Sequence, residues 1–344
     1  MTLIREARRN PLKGWQVDPS AIRTVGHDLS RPECILAERD GSLWAADSRG
    51  GVMHIRPDGS QTLIAPNTGS GANAKPDIFG GTLPNGLAFA RNGDILIANF
   101  GTDALEVMSR DGKTRTLYDS IDGKPLGKVN FVLRDSKDRL WITISTKINP
   151  WNDAISNKQA DGYIALIDDK GLRIVADGFY FTNEIRFDAN EEWLYVAETC
   201  ARRVTRLRVA PDGSLHNREV YGPSSLGSGV IDGIAFDAFG NLWATMIFAD
   251  RLVAITPDGE LLTLLDDGNH EAVARFDAEF DSGSVVRAET ISAAGGGKIA
   301  PMMTSITFGG ADLGTVYLGS LGATTLPFFK SPVAGLPMVH WNEQ

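Results

Sequence analysis

Six copies of one strand pattern constrain the fold of this chain more than any other feature. In each copy a polar residue opens a short apolar strand, and a larger apolar strand follows about ten positions later. The opening residues are Glu33, Asn85, Asn130, Asn183, Asp232 and Thr304. Strand-rich repeats of about 40 to 50 residues with Gly turns are typical of β-propellers. The sequence therefore predicts an all-β fold, a six-bladed β-propeller with four-stranded blades.

The copies also contain the outer strands of such blades. Third strands are visible at 51–55 and 251–255, and each ends in a Pro-Asp-Gly turn. Gly in such turns accepts the positive φ of tight hairpins. We predict a single propeller domain over 1–344, with blades starting near the six opening residues. One of the flanking stretches, 14–29 or 323–337, is expected to supply the strand that closes the ring.

Two insertions interrupt the repeats, at 146–162 and 267–300. The first joins the second and third strands of the third copy, and such loops lie on the face where inner strands begin. It is therefore predicted to be a lid over the channel mouth, or else a plain surface loop. The second insertion contains HEAVARFDAEF, which has helical spacing, and the Gly-rich run 293–298. That run lacks the phosphate-loop pattern G-x-x-x-x-G-K-[ST] and is predicted to be a loop.

The opening residues define the candidate site. Residues that lead the innermost strand of each propeller blade face one central channel. Carboxylate and Asn carbonyl oxygens are hard ligands, suited to Ca²⁺, Mg²⁺ or Mn²⁺. A lone Asn or Asp at a strand start commonly bonds only neighbouring backbone, but five of six equivalent positions are Glu, Asp or Asn. An Asp that touches both metal and substrate can also carry a proton.

Composition excludes several other classes of function. The net charge of -9 argues against binding to nucleic acids or anionic membranes, which requires Lys/Arg patches. There is no run of 18 apolar residues and no signal-peptide-like apolar core at the start, so the sequence predicts a cytoplasmic protein. The five histidines show no metal-ligand spacing, and the G-x-S-x-G elbow of α/β-hydrolases is absent.

Several motifs resemble the family of senescence marker protein (regucalcin), gluconolactonase and the luciferin-regenerating enzyme. They are FTNEIRFDANEEWLYVAET (181–199), VIDGIAFDAFGNLWAT (230–245), FGGADLGTVYLGS (308–320) and LPNGLAF (83–89). Four motifs in the family's order, with similarity from about residue 30 to 335, make the resemblance specific. Departures from the family pattern include Phe131 in place of an Asp and Glu184 in place of a Gly.

The resemblance implies a six-bladed propeller that holds one divalent metal ion through a Glu, an Asn and an Asp. These match Glu33, Asn183 and Asp232, and Asp232 is expected to double as the acid/base. Ca²⁺ is the first expectation for the ion, with Mg²⁺, Mn²⁺, Zn²⁺ or Fe²⁺ as other candidates. The family's substrate-contacting Asn falls on Asn130, and Asn85 is a further candidate substrate contact.

Three more residues are candidate substrate contacts. Lys128 lies where some family members carry a substrate-binding Arg, whereas Lys147 and Trp151 lie in the proposed lid. The two lysines predict a preference for acidic over neutral lactones, through charge-assisted hydrogen bonds. The alternative is that both lysines are solvated surface residues without a role in binding.

The function expected from these observations is metal-dependent hydrolysis of the ring ester of a lactone. The alternatives are hydrolysis of another ester, such as a phosphotriester, a non-catalytic binding propeller, and a metal-free propeller resembling strictosidine synthase. The expected partner is a small-molecule lactone or ester, without nucleic acid or membrane. The sequence leaves the particular lactone and the oligomeric state open.

Overall fold

The computed structural model describes residues 9–66, 81–156 and 159–343. Six antiparallel sheets of four strands each confirm the predicted six-bladed propeller. In chain order the strands are β1 (Arg23–Val25), β2 (Ile35–Ala37), β3 (Leu43–Asp47), β4 (Gly51–Ile55), β5 (Gln61–Ile64), β6 (Pro84–Phe89), β7 (Ile95–Asn99), β8 (Ala104–Met108), β9 (Thr114–Tyr118), β10 (Ser120–Ile121), β11 (Lys124–Pro125), β12 (Val129–Arg134), β13 (Leu140–Ile144), β14 (Gly162–Asp168), β15 (Gly171–Phe179), β16 (Thr182–Phe187), β17 (Trp193–Glu198), β18 (Arg203–Val209), β19 (Leu215–Tyr221), β20 (Val230–Phe236), β21 (Leu242–Ile247), β22 (Arg251–Ile255), β23 (Leu261–Asp266), β24 (Met303–Gly309), β25 (Thr315–Ser320) and β26 (Leu326–Lys330).

The first five blades follow chain order, and the sixth closes the ring. Its strand order is β1-β26-β25-β24, so the N-terminal strand is the outermost strand of the last blade. In that pairing Arg23 lies opposite Phe328 and Val25 opposite Leu326. Both flanking stretches therefore contribute to the closing blade, the N-terminal one through β1 and the C-terminal one through β26. This pairing covers a sheet edge that would otherwise be exposed.

Second-strand tryptophans pack inside the blades in a repeated way. The indole Nε1 of Trp44, Trp141 and Trp243 donates to Glu38, Asp135 and Asp237 respectively, over 2.6 to 2.9 Å. In all three blades the acceptor lies six residues before the Trp, just beyond the inner strand. Each buried polar N–H is thus satisfied while the ring fills the core.

A break in strand register aims the channel residues inward. Five inner strands lose regular pairing with their neighbours at their first residues, within 84–87, 129–131, 182–185, 231–234 and 303–306. Each break contains one of the opening residues of the repeat. Bulges of this kind re-aim side chains and are common next to active sites. Threonines of the neighbouring strands accept backbone N–H groups there: Thr143 accepts from Phe131, and Thr245 from Gly233.

The two insertions lie on the face of the propeller where the inner strands begin. Segment 146–162, of which 157–158 fall outside the described residues, forms a short 3₁₀ helix at Trp151–Ala154. Segment 267–300 forms α1 (His270–Asp281), which confirms the predicted helical spacing. It also forms α2 (Ala288–Ala294), which was not predicted and takes up the first two residues of the run 293–298 that was predicted to be a loop. Both insertions contribute to one apolar cluster, through Ile155 from the first and Phe276 and Ile291 from the second.

Further 3₁₀ turns lie at Pro19–Ala21, Thr199–Ala201 and Val339–Asn342. Across the described ranges, no helix has the length and apolarity to cross a membrane.

Candidate active site

Five of the six opening residues meet at one pocket at the channel mouth. Its polar lining consists of Arg31, Glu33, Asn85, Asn130, Asn183, Thr199 and Asp232. Thr304 is not among the lining residues, and its hydroxyl donates to the backbone oxygen of Glu33 over 3.0 Å. The structure thus brings together Glu33, Asn183 and Asp232, the three predicted metal ligands.

Glu33 and Asp232 are buried carboxyls whose charges repel each other. Only 3% of Glu33 and 6% of Asp232 is exposed. Burial, with the neighbouring Asp232 charge, raises the pKa of Glu33 well above its ordinary value. Burial and the charge of Glu184 raise the pKa of Asp232 to about 8. Without a bound cation, the site therefore disfavours the ionised form of both groups.

Asn183 presents a free oxygen to the pocket. Its amide nitrogen Nδ2 donates to Thr199 Oγ1 over 3.1 Å. Its Oδ1 is buried and has no hydrogen-bond partner. Because the nitrogen is held by Thr199 and also hydrogen-bonds the Asp232 carboxyl, the oxygen is the amide atom left for a ligand.

Asn85 has its oxygen occupied. Arg31 donates to Asn85 Oδ1 over 2.9 Å and to the backbone oxygen of Pro84 over 3.1 Å. The Asn85 amide donates in turn to the backbone oxygen of Asn130 over 3.1 Å. The Asn130 side-chain oxygen and the Arg31 Nε are buried and unpartnered. Asn85 therefore braces the pocket floor, whereas Asn130 and Arg31 keep atoms free for a substrate.

The donor set fits a hard divalent cation. Glu33 Oε2 and Asn183 Oδ1 are buried oxygens without partners, beside the Asp232 carboxyl. A buried polar atom left unpaired costs about 1 to 3 kcal/mol, which a coordinated cation would remove. Within the part of the chain that the structure describes, no three His, Cys, Asp or Glu side chains group as metal ligands. A metal site at this ring therefore needs an Asn oxygen, and such oxygens suit Ca²⁺.

A third buried carboxyl, Glu184, lies beside the ring. It pairs with Arg186 over 2.9 Å and accepts from the backbone N–H of Ile234 over 3.1 Å. Burial raises its pKa to about 7, against the opposing effect of Arg186. When Glu184 is ionised, its charge further raises the pKa of Glu33 and of Asp232, and a nearby cation would offset this effect.

The remaining pocket wall is apolar. It consists of Phe100, Trp151, Ile155, Phe181, Ile247, Phe248 and Leu321. Trp151 and Ile155 come from insertion 146–162, so that segment covers part of the channel mouth as a lid would. Segment 267–300 supplies no lining residue but supports the wall, because Phe276 packs on Phe248 with ring centroids 5.1 Å apart.

The two candidate lysines are not among the pocket-lining residues, although the Lys128 Nζ lies 5.7 Å from the ring centroid of the wall residue Phe100. Lys128 is largely buried and pairs with Asp103 over 2.8 Å. Lys147 is exposed, and its Nζ lies 4.9 Å from the ring centroid of Tyr163. Neither lines the pocket, whereas Arg31 does. These two side chains are therefore not part of the pocket lining that would set a preference for acidic lactones, whereas the Arg31 guanidinium is.

The sequence analysis missed Arg31 and most of the apolar wall, and it identified Glu184 only as a departure from the family pattern. Arg31 lies two residues before Glu33, outside the repeated strand pattern. A signal for the wall was present, since Phe100, Phe248 and Leu321 each directly follow the second strand of a repeat. Aligning the copies at that position would have predicted three wall residues.

Comparison with known proteins places these features in context. A family model described as the SMP-30/Gluconolactonase/LRE-like region matches residues 31–273. A 6-deoxy-6-sulfogluconolactonase of Pseudomonas putida is 28% identical over 91 residues, which are 26% of this chain and 31% of that protein. The match thus spans about a third of that relative's length.

Solved structures show the same fold. A gluconolactonase from Xanthomonas campestris superposes with a TM-score of 0.63 at 18% identity, covering 91% of this chain and 89% of that one. The calcium-binding protein regucalcin from Agrobacterium tumefaciens superposes with a TM-score of 0.63 at 15% identity, covering 90% of this chain and 92% of that one.

Proposed function

Since the chain belongs to the SMP-30/Gluconolactonase/LRE-like family, we propose that it is a lactonase that depends on a divalent cation. The reaction is hydrolysis of the ring ester of a lactone to the open hydroxy acid. The observation that carries the proposal is the group of buried, unpartnered oxygens on Glu33 and Asn183 beside the Asp232 carboxyl. The names of the matched relatives, a sulfogluconolactonase and a gluconolactonase, support ring-ester hydrolysis as the reaction.

Glu33, Asn183 and Asp232 would hold the cation, with Ca²⁺ as the first candidate. When bound, a divalent cation supplies Lewis-acid polarisation of the ester carbonyl and offsets the carboxylate charges. Its two carboxyl ligands must be ionised, so conditions that protonate Glu33 and Asp232 oppose binding.

Asp232 is the proposed proton carrier. As a carboxylate it accepts a proton from the water that attacks the carbonyl carbon. It returns that proton to the ring oxygen when the C–O bond breaks. A single well-placed acid/base group contributes about 10² to 10⁴ in rate.

Arg31 and Asn130 would position the substrate. The Arg31 Nε is a buried donor without a partner, suited to a carbonyl or ring oxygen of the ester. The Asn130 Oδ1 is a buried acceptor, suited to a substrate hydroxyl or to the attacking water. The hydrogen bonds from Arg31 to Asn85 and Pro84 keep the guanidinium in place.

A lactone panel tests the proposal. Protein supplied with Ca²⁺ is expected to release acid from one or more lactones. The rate is measured as the amount of base needed to hold the pH constant. Asp232→Asn keeps an oxygen ligand but cannot carry a proton, so we expect a loss of about 10² to 10⁴ in kcat. Elemental analysis of wild type and variant provides the control for metal content.

Two results would contradict the proposal. One is the absence of turnover on every lactone while a phosphotriester or linear ester is hydrolysed. The other is Asp232→Asn protein that is loaded with metal and keeps wild-type turnover.

A further inference from the structure

The pocket has a polar floor and an apolar wall. All polar lining residues belong to the channel ring or contact it directly, as Thr199 contacts Asn183. Above them stand four aromatic side chains, Phe100, Trp151, Phe181 and Phe248. Three aliphatic side chains complete the wall. A ligand whose ester lies on the floor therefore has its remaining atoms against apolar groups.

The wall is a packed structure. Phe100 meets Trp151 edge-on with ring centroids 5.4 Å apart, and Phe181 lies 6.4 Å from both of those rings. Phe100, Phe181 and Phe248 are each 4 to 5% exposed. They belong to the apolar cluster that the two insertions complete. Such edge-on and offset aromatic contacts hold the wall in one arrangement.

Two wall residues are held in an uncommon backbone conformation. Phe181 has φ +59° and Phe248 has φ +64°. Positive φ is unfavourable for bulky side chains, and such strain persists at functional sites where the surroundings impose it. Arg31, on the polar floor, also has positive φ, at +54°. The backbone is thus strained at three points that aim side chains into the pocket.

We propose that the substrate carries an apolar group, aromatic or branched alkyl, next to its ring ester, and is not a polyhydroxylated sugar lactone. This inference rests on the proposed function and specifies its substrate class. The hydroxyls of a sugar lactone would lose water against a wall whose side chains carry a single polar group, the Trp151 indole N–H, which is unfavourable. An apolar substituent gains from the same burial.

The size of the expected effect follows from how strongly apolar pockets of other enzymes distinguish between substrates of different size. One methylene in an apolar pocket changes specificity by about 10- to 200-fold. A phenyl substituent offers more contact area than one methylene. We therefore expect at least about a 10-fold advantage over an unsubstituted ring.

Lactams test the inference without turnover. Calorimetric titration of protein with Ca²⁺ compares a phenyl-substituted δ-lactam, unsubstituted δ-valerolactam and gluconolactam. We expect the phenyl lactam to bind at least about 10-fold more tightly than the other two. The matching lactones, assayed for ring opening, test the proposed function separately.

Variants locate the preference on the wall. Trp151→Ser is expected to remove most of the phenyl preference, measured as the ratio of phenyl lactam affinity to unsubstituted lactam affinity. Leu321→Asn provides a second wall variant, at a half-buried position less tied to the fold. Trp193→Ser is the matched control, because Trp193 is half-buried but absent from the pocket lining.

The outcomes separate the two claims. Gluconolactam binding as tightly as the phenyl lactam, absence of phenyl lactam binding, or a preference unchanged in both wall variants would overturn the inference. Phenyl preference without hydrolysis of any lactone would support the inference and contradict the proposed lactonase activity.

Discussion

At the residue scale, the hydrogen bonds of two equivalent Asn side chains separate their roles. Asn183 donates to Thr199 and leaves its oxygen free, whereas Asn85 has its oxygen bonded to Arg31. The same residue type at equivalent strand starts therefore gives one candidate ligand and one brace. The neighbour of each amide decides which role it has.

This difference makes Thr199 a positioning residue. In Thr199→Val the acceptor for the Asn183 amide is lost, so the amide oxygen is no longer held toward the pocket. Removing such an outer partner typically costs about 10- to 100-fold in metal affinity. We expect a loss of that size for Ca²⁺ by titration calorimetry on chelator-treated protein. Ca²⁺ affinity in Thr199→Val equal to that of wild type would contradict the assignment.

Sequence pattern predicted the ring but not its surroundings. Glu33, Asn183 and Asp232 could be predicted because they occupy the same position in successive copies of the repeat. Glu184 and Arg31 depend on which side chains meet across blades, and no period in the sequence encodes that. Lys128 illustrates the same limit, because its partner Asp103 comes from a different blade.

At the scale of elements, the bulge at each inner strand links fold to site. A regular strand would alternate its side chains between the two sheet faces. The broken register at 182–185 and 231–234 frees Asn183 and Asp232 from that alternation. The positions of the strands could be predicted from the alternation of apolar and polar residues and from the turn residues. A bulge changes neither pattern enough to be predicted from one sequence.

Asp250 ties the second insertion to blade five in a pH-dependent way. Its carboxyl accepts from the backbone N–H groups of Gly297 and Met303 over 2.6 and 3.0 Å. Burial nevertheless raises its pKa to about 6, with a further contribution from the charge of Asp267. The carboxyl therefore ionises less readily in the folded chain than in the unfolded one.

The raised pKa predicts the direction of a stability change. The contribution of Asp250 is fully present below about pH 4 and is lost as pH rises through about 6, by up to about 3 kcal/mol. We expect Asp250→Asn to lack this part of the decline in Tm between pH 4 and 7. The exposed Asp169→Asn serves as control, and parallel Tm profiles for Asp250→Asn and wild type would contradict the prediction.

At the scale of the whole molecule, the N-terminal segment fastens the ring. Beyond the pairing of β1 with β26, Leu12 and Val17 enter an apolar cluster shared by blades one, five and six. Trp15 lies 5.9 Å from the ring centroid of Trp243 in blade five and 6.3 Å from that of Phe329 in blade six. The segment therefore joins the two blades on either side of one seam.

Neighbouring residues in this segment should differ sharply in their effect on stability. Leu12 is 1% exposed, so Leu12→Ala is expected to cost about 2 to 5 kcal/mol of unfolding free energy. Lys13 forms surface ion pairs with Asp258 and Glu260, which water screens, so Lys13→Ala should change stability far less than Leu12→Ala. Thermal unfolding of both variants checks this, and similar Tm losses would count against a packed N-terminal seam.

The rate of lactone opening as a function of free Ca²⁺ tests the central claim most directly. Chelator-treated wild type is expected to be nearly inactive and to regain activity with a saturating dependence on Ca²⁺, by at least about 10². Glu33→Gln should need much more Ca²⁺ to reach half of its maximal rate. Full activity in the presence of chelator, or the same Ca²⁺ dependence in Glu33→Gln as in wild type, would contradict the account.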